Sequence, residues 1–298
     1  MKLPGHITGH TRVFALIGHP VRHSLSPQMH TRLFEQLGID AVYVAFDVNP
    51  RDADKVADAI RILGLNGVNL TVPFKERILP HLDRMTVAAE EAGAVNVVTN
   101  VDGVLTGYNT DGEGFLSATQ EEHGFKANKK KCILLGAGGA SRAIAASLAA
   151  AGAHEIVMLN RTLVRAENAI AELRRVNQHT RLSAAPLTTQ GFASASQGAD
   201  LVVNCLGGGA EEQVNQLPIE QLDSRAIWSD INYWMNSPPQ INACLEQGYA
   251  VSVGLGMLIH QGALSFELFT GHPVLPEELQ QIVDAIDSAS DPKQKNLG

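Results

Sequence analysis

Apolar runs and helical repeats alternate along the chain. Arg12 to Ile17 is a short apolar run closed by Gly18-His19-Pro20, the pattern of a buried strand. Ser26-Pro27 then opens a helix, with Ser26 as N-cap and Pro27 at the first helical position. Met29, Leu33 and Leu37 recur one turn apart until Gly38 stops them. Ala41 to Val48 reads as the next strand. Asn49-Pro50 caps a helix carrying Val56, Ile60 and Leu63, and Gly67 to Val72 is a third strand that Pro73 ends. Strands separated by helices predict βαβ units and a mostly parallel sheet. Val95 to Asn100 and Val104 to Tyr108 flank Asp102-Gly103, which predicts a hairpin on an antiparallel edge of that sheet.

Around His123 to Lys131 the chain turns polar and basic, and a second α/β series begins. Cys132 to Leu135, Glu155 to Leu159, Leu201 to Cys205, Ala226 to Ile231 and Tyr249 to Val253 read as its strands, with a helix over Ser141 to Ala151. After Gly254 the pattern is helical, from Met257 to Phe269 and from Pro276 to Ser288. The fold class is therefore α/β with two α/β domains. We expect an N-terminal mostly parallel-sheet substrate domain over 1–111, completed by returning C-terminal helices over 255–298. A Rossmann-type domain is expected over 112–254.

Composition narrows the picture. The 298 residues suffice for two cores, and 45% hydrophobic with 18% charged residues is ordinary globular usage. A net charge of −8 with no basic block argues against nucleic-acid binding. Cys132, Cys205 and Cys244 are scattered and form no CxxC, which speaks against a disulfide framework or a zinc site and suits the cytoplasm. No signal peptide or membrane span is read in the sequence. His19 and His23 are four apart, but Pro20 opposes a helix and no HExxH accompanies them, so no metal is expected.

Gly136-Ala137-Gly138-Gly139-Ala140-Ser141 joins a strand to an alanine-rich helix, the context a dinucleotide turn requires. Gly136 permits the tight turn, Gly138 lets backbone approach a pyrophosphate, and Gly139 and Ala140 let strand and helix pack closely. The helix N-terminus offers N–H groups to phosphate. Where an NAD enzyme places an acid on the ribose, this chain has Asn160, Arg161 and Thr162, then Arg165. Two guanidinium groups and a hydroxyl suit a 2′-phosphate, so NADP is expected over NAD. The plain alternative is a pair of solvated arginines at a helix start.

The first domain carries its own polar set. Ser24 and Ser26 precede a helix N-terminus and suit a carboxylate, although N-capping alone explains one of them. In Asn69-Leu70-Thr71-Val72-Pro73-Phe74-Lys75, alternation puts Asn69 and Thr71 on one face of a strand end, just before Lys75. Strand C-termini are where open α/β sheets bind ligands. Asp111, in Gly107-Tyr108-Asn109-Thr110-Asp111-Gly112, is the candidate partner of Lys75, and Asn96 lies at another strand. Such a pair serves as a structural salt bridge as readily as a catalytic one.

Several motifs in order, GHPVRHSLSPQMH, NLTVPFK, GAVN, GYNTDGEG, GAGGASRA, NRTLVRA and GLGMLIHQGA, make the chain resemble the shikimate dehydrogenase family from about Ile7 to Val283. The resemblance implies NADPH-dependent reduction of 3-dehydroshikimate to shikimate, in the aromatic amino-acid (chorismate) pathway, with small-molecule partners. The expected assembly is left open between monomer and homodimer. It implies that Lys75 and Asp111 are the catalytic pair and that Ser24 and Ser26 hold the substrate carboxylate. Asn69, Thr71, Asn96, Tyr233 and Gln261 would contact substrate. Gly136, Gly138, Gly139, Ala140, Asn160, Arg161, Thr162, Arg165, Gly254 and Met257 would serve the cofactor. The chain departs from the family's usual residues at Thr31, at Val97, over Asn204 to Gly209, and at Trp234-Met235. These departures keep open a divergent branch that prefers quinate, shikimate in the oxidative direction or an amino analogue. Because fold does not fix function, a non-catalytic NADP-binding sensor is the alternative of another class, and the intact Lys75, Asp111, Ser24 and Ser26 argue against it.

Overall fold

The computed structural model describes residues 7–207, 209–233 and 240–290. The residues divide into two compact units. The first comprises Met1–Thr86, Val95–Thr110 and Gln261–Gly298, and the second comprises Val87–Ala94 and Asp111–His260. These limits differ from the expected ones in three places. Val87–Ala94 groups with the second unit, Asp111 opens that unit, and the later boundary falls after His260, inside a helix.

In chain order the elements begin with β1 (Arg12–Gly18), α1 (Ser26–Leu37), β2 (Ala41–Asp47), α2 (Val56–Ile62), β3 (Gly67–Leu70), α3 (Phe74–Arg77), β4 (Arg84–Met85) and α4 (Val87–Ala92). Next come β5 (Val97–Val101), β6 (Val104–Tyr108), α5 (Asp111–His123), β7 (Lys131–Leu135), α6 (Gly139–Ala150), β8 (Glu155–Asn160), α7 (Leu163–Val176) and β9 (Arg181–Pro186). The series ends with α8 (Thr189–Ser196), β10 (Leu201–Asn204), α9 (Glu211–Asn215), β11 (Ile227–Asp230), α10 (Ile241–Glu246), β12 (Ala250–Val253), α11 (Leu255–Thr270) and α12 (Pro276–Ser290).

The first unit is built on a six-stranded sheet ordered β2-β1-β3-β5-β6-β4. β1 pairs in parallel with β2 and β3, while β5 runs antiparallel to β3 and β6. The Asp102-Gly103 hairpin forms, with φ of 52° and 84° at its two turn residues. It is not the sheet edge, because the two-residue β4 pairs in parallel outside β6. β4 is too short to carry a hydrophobic period, which is why the sequence pattern passes over it. Phe14, Phe34, Phe266 and Phe269 form a buried aromatic core under this sheet, with ring centroids 5.0–5.4 Å apart.

The expected Ser26 cap is corrected. Leu25 is the N-cap of α1, makes no side-chain capping bond, and its carbonyl takes the first helical bond from the Met29 N–H at 3.0 Å. Ser26 is thus already helical. Ser24 Oγ instead accepts the Ser26 N–H at 3.2 Å, a local turn that leaves the Ser26 hydroxyl out of capping.

The second unit is a six-stranded sheet ordered β12-β11-β10-β7-β8-β9, and every pairing is parallel. Crossover at β7 gives the doubly wound order whose switch point lies between β7 and β10. Two apolar clusters cover its two faces, one around Ile144, Leu148 and Met158, the other around Phe192, Trp228 and Val202. Buried on both faces, the strands read as continuous apolar runs. Among the described residues, no helix is long and apolar enough to cross a membrane.

Candidate active site

At the C-terminal end of β3 and the adjoining N-terminal end of the antiparallel β5, the first unit buries polar groups that pair with one another. Asn69 is 7% exposed and Asn96 is 2% exposed. The Tyr43 phenol donates to Asn69 Oδ1 at 2.7 Å, and Asn69 Nδ2 donates to the Asn96 carbonyl at 3.2 Å and to Ser265 Oγ at 3.1 Å. Asn96 Oδ1 accepts the Thr110 N–H at 2.8 Å, and its Nδ2 donates to Thr110 Oγ1 at 2.8 Å and to Gln261 Oε1 at 3.5 Å. Ser265, one turn beyond Gln261 on α11, donates to the Gln261 carbonyl at 2.8 Å. The expected residues Asn69, Asn96 and Gln261 therefore belong to one network. A buried network of this kind persists because each member is satisfied.

Thr71 and Lys75 follow directly. The Thr71 N–H still donates to the Ile17 carbonyl at 2.9 Å beyond the end of β3. The Phe74 N–H closes a turn on the Thr71 carbonyl, and Lys75 sits half-buried in the single turn of α3. The Lys75 carbonyl accepts the Val95 N–H at 2.8 Å, which ties α3 to the segment leading into β5. Asp111 is the first residue of α5 in the second unit and is 3% exposed.

The glycine turn fits a dinucleotide. Gly136 has φ of +110°, a conformation that favours glycine. A Cβ added at Gly138 would meet nothing within 4 Å, so this turn leaves open space where a pyrophosphate would approach. Gly138 is the N-cap of α6 and makes no side-chain capping bond. The helix begins at Gly139 and Ala140 with its N–H groups uncapped by a side chain. Ser141 stands where the usual pattern has its third glycine. Its buried hydroxyl donates to the Gly136 carbonyl at 2.7 Å and closes the turn from inside.

At the end of β8, Asn160 is 9% exposed and donates to the Thr162 carbonyl at 2.9 Å, which shapes the turn into α7. Thr162 is the N-cap of α7 and makes no side-chain capping bond. Arg161, Thr162 and Arg165 are exposed. Neither arginine has an ion-pair partner among the described residues, so both suit an incoming phosphate.

Tyr233 is half-buried after β11; the neighbouring Trp234-Met235 departure lies outside the described residues, as does Gly208. Gly254 has a packing role, since a Cβ there would lie 2.0 Å from the Ile231 carbonyl oxygen. Met257 is 9% exposed and belongs to the apolar core of the second unit.

The sequence reading missed several residues that organise these ends. Tyr43 reaches Asn69 only through sheet register, and Ser265 lies 196 residues from Asn69. The signal for Ser265 was its place one turn after Gln261. Asp230, at the end of β11 and 0% exposed, was also passed over. Its carboxylate accepts from Asn204 Nδ2 at 2.6 Å, from the Asn232 N–H at 2.8 Å and from Asn232 Nδ2 at 2.6 Å. Burial pushes this carboxyl above its ordinary range, against those three donors. Asn232 Nδ2 also reaches the Leu206 carbonyl, and the Leu206 N–H donates to Asn204 Oδ1, so the loops after β10 and β11 share one anchor.

Three family models match the chain. They are the shikimate dehydrogenase substrate binding domain over residues 16–98, shikimate / quinate 5-dehydrogenase over 118–231, and the shikimate 5′-dehydrogenase C-terminal domain over 254–281. A shikimate dehydrogenase (NADP+) of Alkaliphilus metalliredigens is 38% identical over 280 residues, covering 93% of this chain and 98% of the relative. Among solved structures, a shikimate 5-dehydrogenase from Listeria monocytogenes in complex with shikimate and NAD matches with a TM-score of 0.83. It is 34% identical and covers 95% of this chain and 100% of that one. A Thermus thermophilus shikimate 5-dehydrogenase in complex with NADP(H) and shikimate matches with a TM-score of 0.78 at 35% identity, covering 92% of this chain and 99% of its own.

Proposed function

The chain belongs to the shikimate dehydrogenase family, and from that premise we propose that it interconverts 3-dehydroshikimate and shikimate, an oxidoreductase using NADP(H). The observation that carries the reading is chemical. The first unit holds the buried Asn69–Asn96–Gln261 network at its strand ends, and the second holds a glycine turn uncapped by a side chain together with Arg161 and Arg165, which have no ion-pair partner among the described residues.

In this reading Ser24 and Ser26 bind the substrate carboxylate, aided by the N–H groups that open α1. Asn69, Asn96 and Gln261 bind ring hydroxyls, with Thr71 beside them. Gly136, Gly138, Gly139 and Ala140 cradle the cofactor's pyrophosphate. Arg161, Thr162 and Arg165 grip the 2′-phosphate that distinguishes NADP from NAD, with Asn160 shaping their turn. Tyr233, Gly254 and Met257 serve the nicotinamide side, the last two through packing. NADPH supplies the hydride when bound. Lys75 delivers the balancing proton to the carbonyl oxygen as charge develops there, and Asp111 orients the Lys75 ammonium and accepts from a substrate hydroxyl. In the oxidative direction Lys75 takes that proton back. We place the protein in the cytoplasm, on its three scattered cysteines, which form no CxxC.

The test is NADPH absorbance with shikimate and with quinate, each with NADP and NAD. Turnover is expected with shikimate and NADP. A preference for quinate would move the chain to a divergent branch, and NADP binding without turnover would make it a sensor. Lys75→Ala is expected to lower kcat by roughly 10²–10⁴, and a variant within about tenfold of wild type would remove Lys75 as the proton donor.

A further inference from the structure

Asn69 has its amide fully oriented before any substrate arrives. The Asn96 carbonyl is a pure acceptor, so the atom facing it at 3.2 Å must be Nδ2 and not Oδ1. The second Nδ2 proton goes to Ser265 Oγ at 3.1 Å, and the Ser265 proton is turned to the Gln261 carbonyl. Oδ1 accepts from the Tyr43 phenol at 2.7 Å. Both amide protons are therefore spent, and one lone pair of Oδ1 remains.

Tyr43 is itself held from three directions. Its ring stacks on His30 with centroids 4.6 Å apart and planes 16° apart, and His30 lies parallel to Phe266 at 6.1 Å. The Thr31 hydroxyl meets the Tyr43 N–H at 3.3 Å and its carbonyl at 3.4 Å, so the residue that departs from the family's usual Asn still grips β2. Tyr43 as a whole is 4% exposed, so its phenol has little room to move.

We propose that Asn69 meets the substrate solely as a hydrogen-bond acceptor, and that Tyr43 is the positioning residue that holds it in that role. The group read by Asn69 must then be a hydroxyl that donates its proton. An ether, ketone or fluorine at the same ring position offers an acceptor to an acceptor and is rejected. This inference rests on the reading above that Asn69 touches substrate.

Tyr43→Phe keeps the ring and its stack and removes the phenol that donates to Oδ1. In steady-state assays with shikimate and NADP, KM for shikimate should rise about five- to thirty-fold, with kcat within about threefold, the scale of one lost buried hydrogen bond. The Kd for NADPH, read from nicotinamide fluorescence, should be unchanged. A shikimate KM within about twofold of wild type overturns the positioning role, as does a parallel fall in kcat, NADPH affinity and Tm, which marks general damage.

A second measurement does not need that variant to fold. Each unreactive ring hydroxyl of shikimate is replaced in turn by fluorine, which cannot donate. Wild type should lose about tenfold or more in kcat/KM for at least one analogue, and Asn69→Ala should erase that penalty. A penalty that persists in Asn69→Ala, or its absence in wild type, overturns the acceptor role. Failure of wild type to turn over shikimate at all would instead strike the functional reading, and this inference with it.

Discussion

His30 makes a sharp prediction about acid stability. It is 1% exposed, stacks on Tyr43 and lies parallel to Phe266, and its Nδ1 has no hydrogen-bond partner among the described residues. Burial lowers its pKa from 6.5 to about 3, because a charged imidazolium would lose its hydration among the aromatic rings. A depressed folded pKa means that stability is whole above 6.5 and is lost as pH falls, since the unfolded chain takes the proton first. One pKa unit corresponds to about 1.4 kcal/mol, so the full shift represents about 5 kcal/mol, lost by roughly pH 3. At about pH 4.5 the unfolded His30 is roughly two units below its pKa, and the loss is about 2.7 kcal/mol, a substantial part of a typical unfolding free energy of about 5–15 kcal/mol.

The perturbation is His30→Phe, which keeps a ring of similar shape and removes the titration. Urea unfolding is measured by far-UV circular dichroism at pH 7, 5.5 and 4.5, with amide exchange in β1 to follow the first unit itself. Trp228 lies in the second unit and does not report on His30. Between pH 7 and 4.5 wild type should lose about 2.5 kcal/mol more than the variant, a relative midpoint shift of about 1 M in urea. The offset between the two curves at pH 7 carries no weight. Curves that stay parallel within about 0.5 kcal/mol down to pH 4.5 would refute a buried, neutral His30.

Three further outcomes follow from the second unit. Arg161→Ala with Arg165→Ala should lower kcat/KM for NADPH by about 10- to 100-fold while changing NADH use by less than about threefold, since the lost charge-assisted bonds belong to the 2′-phosphate; equal losses with both cofactors would return these arginines to solvent. Gly254→Ala would place a Cβ 2.0 Å from the Ile231 carbonyl oxygen, and overpacking of this kind costs about 1–3 kcal/mol, visible as a lowered Tm. Asp230→Asn replaces an acceptor of three N–H bonds with a group that must turn a donor toward Asn204 or Asn232. Thermal melting should show a loss of about 1–3 kcal/mol, and an unchanged Tm would mean that the loops after β10 and β11 do not depend on this anchor.

Much of the architecture is local and therefore readable from the chain. Strand and helix periods, the Asp102-Gly103 hairpin and the glycine turn ahead of α6 each depend on a few neighbouring residues. The absence of an acid after β8 and the presence of Arg161 and Arg165 are equally visible, because that choice is made by residue type at one spacing. Lys75, Asp111, Ser24 and Ser26 were named on the same grounds. The expected N-cap at Ser26 falls one residue earlier, because capping depends on one backbone dihedral pair, and Leu25 already lies in the helical region at φ −80° and ψ −15°.

What tertiary structure decided is which polar groups meet and in which direction their protons point. Tyr43 and Asn69 sit on β2 and β3 with β1 between them, and parallel register alone carries the phenol to the amide. Ser265 arrives from a helix near the far end of the chain. The short β4 forms because β6 offers it a partner, and no pattern of its own requires it. A histidine side chain ordinarily titrates near neutral pH, and only the burial of His30 against aromatic rings keeps it neutral. Residue type and spacing determine what a site can be made of. The desolvation of each group and the non-local partner that satisfies it determine what the site presents, and both come into being only when the sheets are assembled.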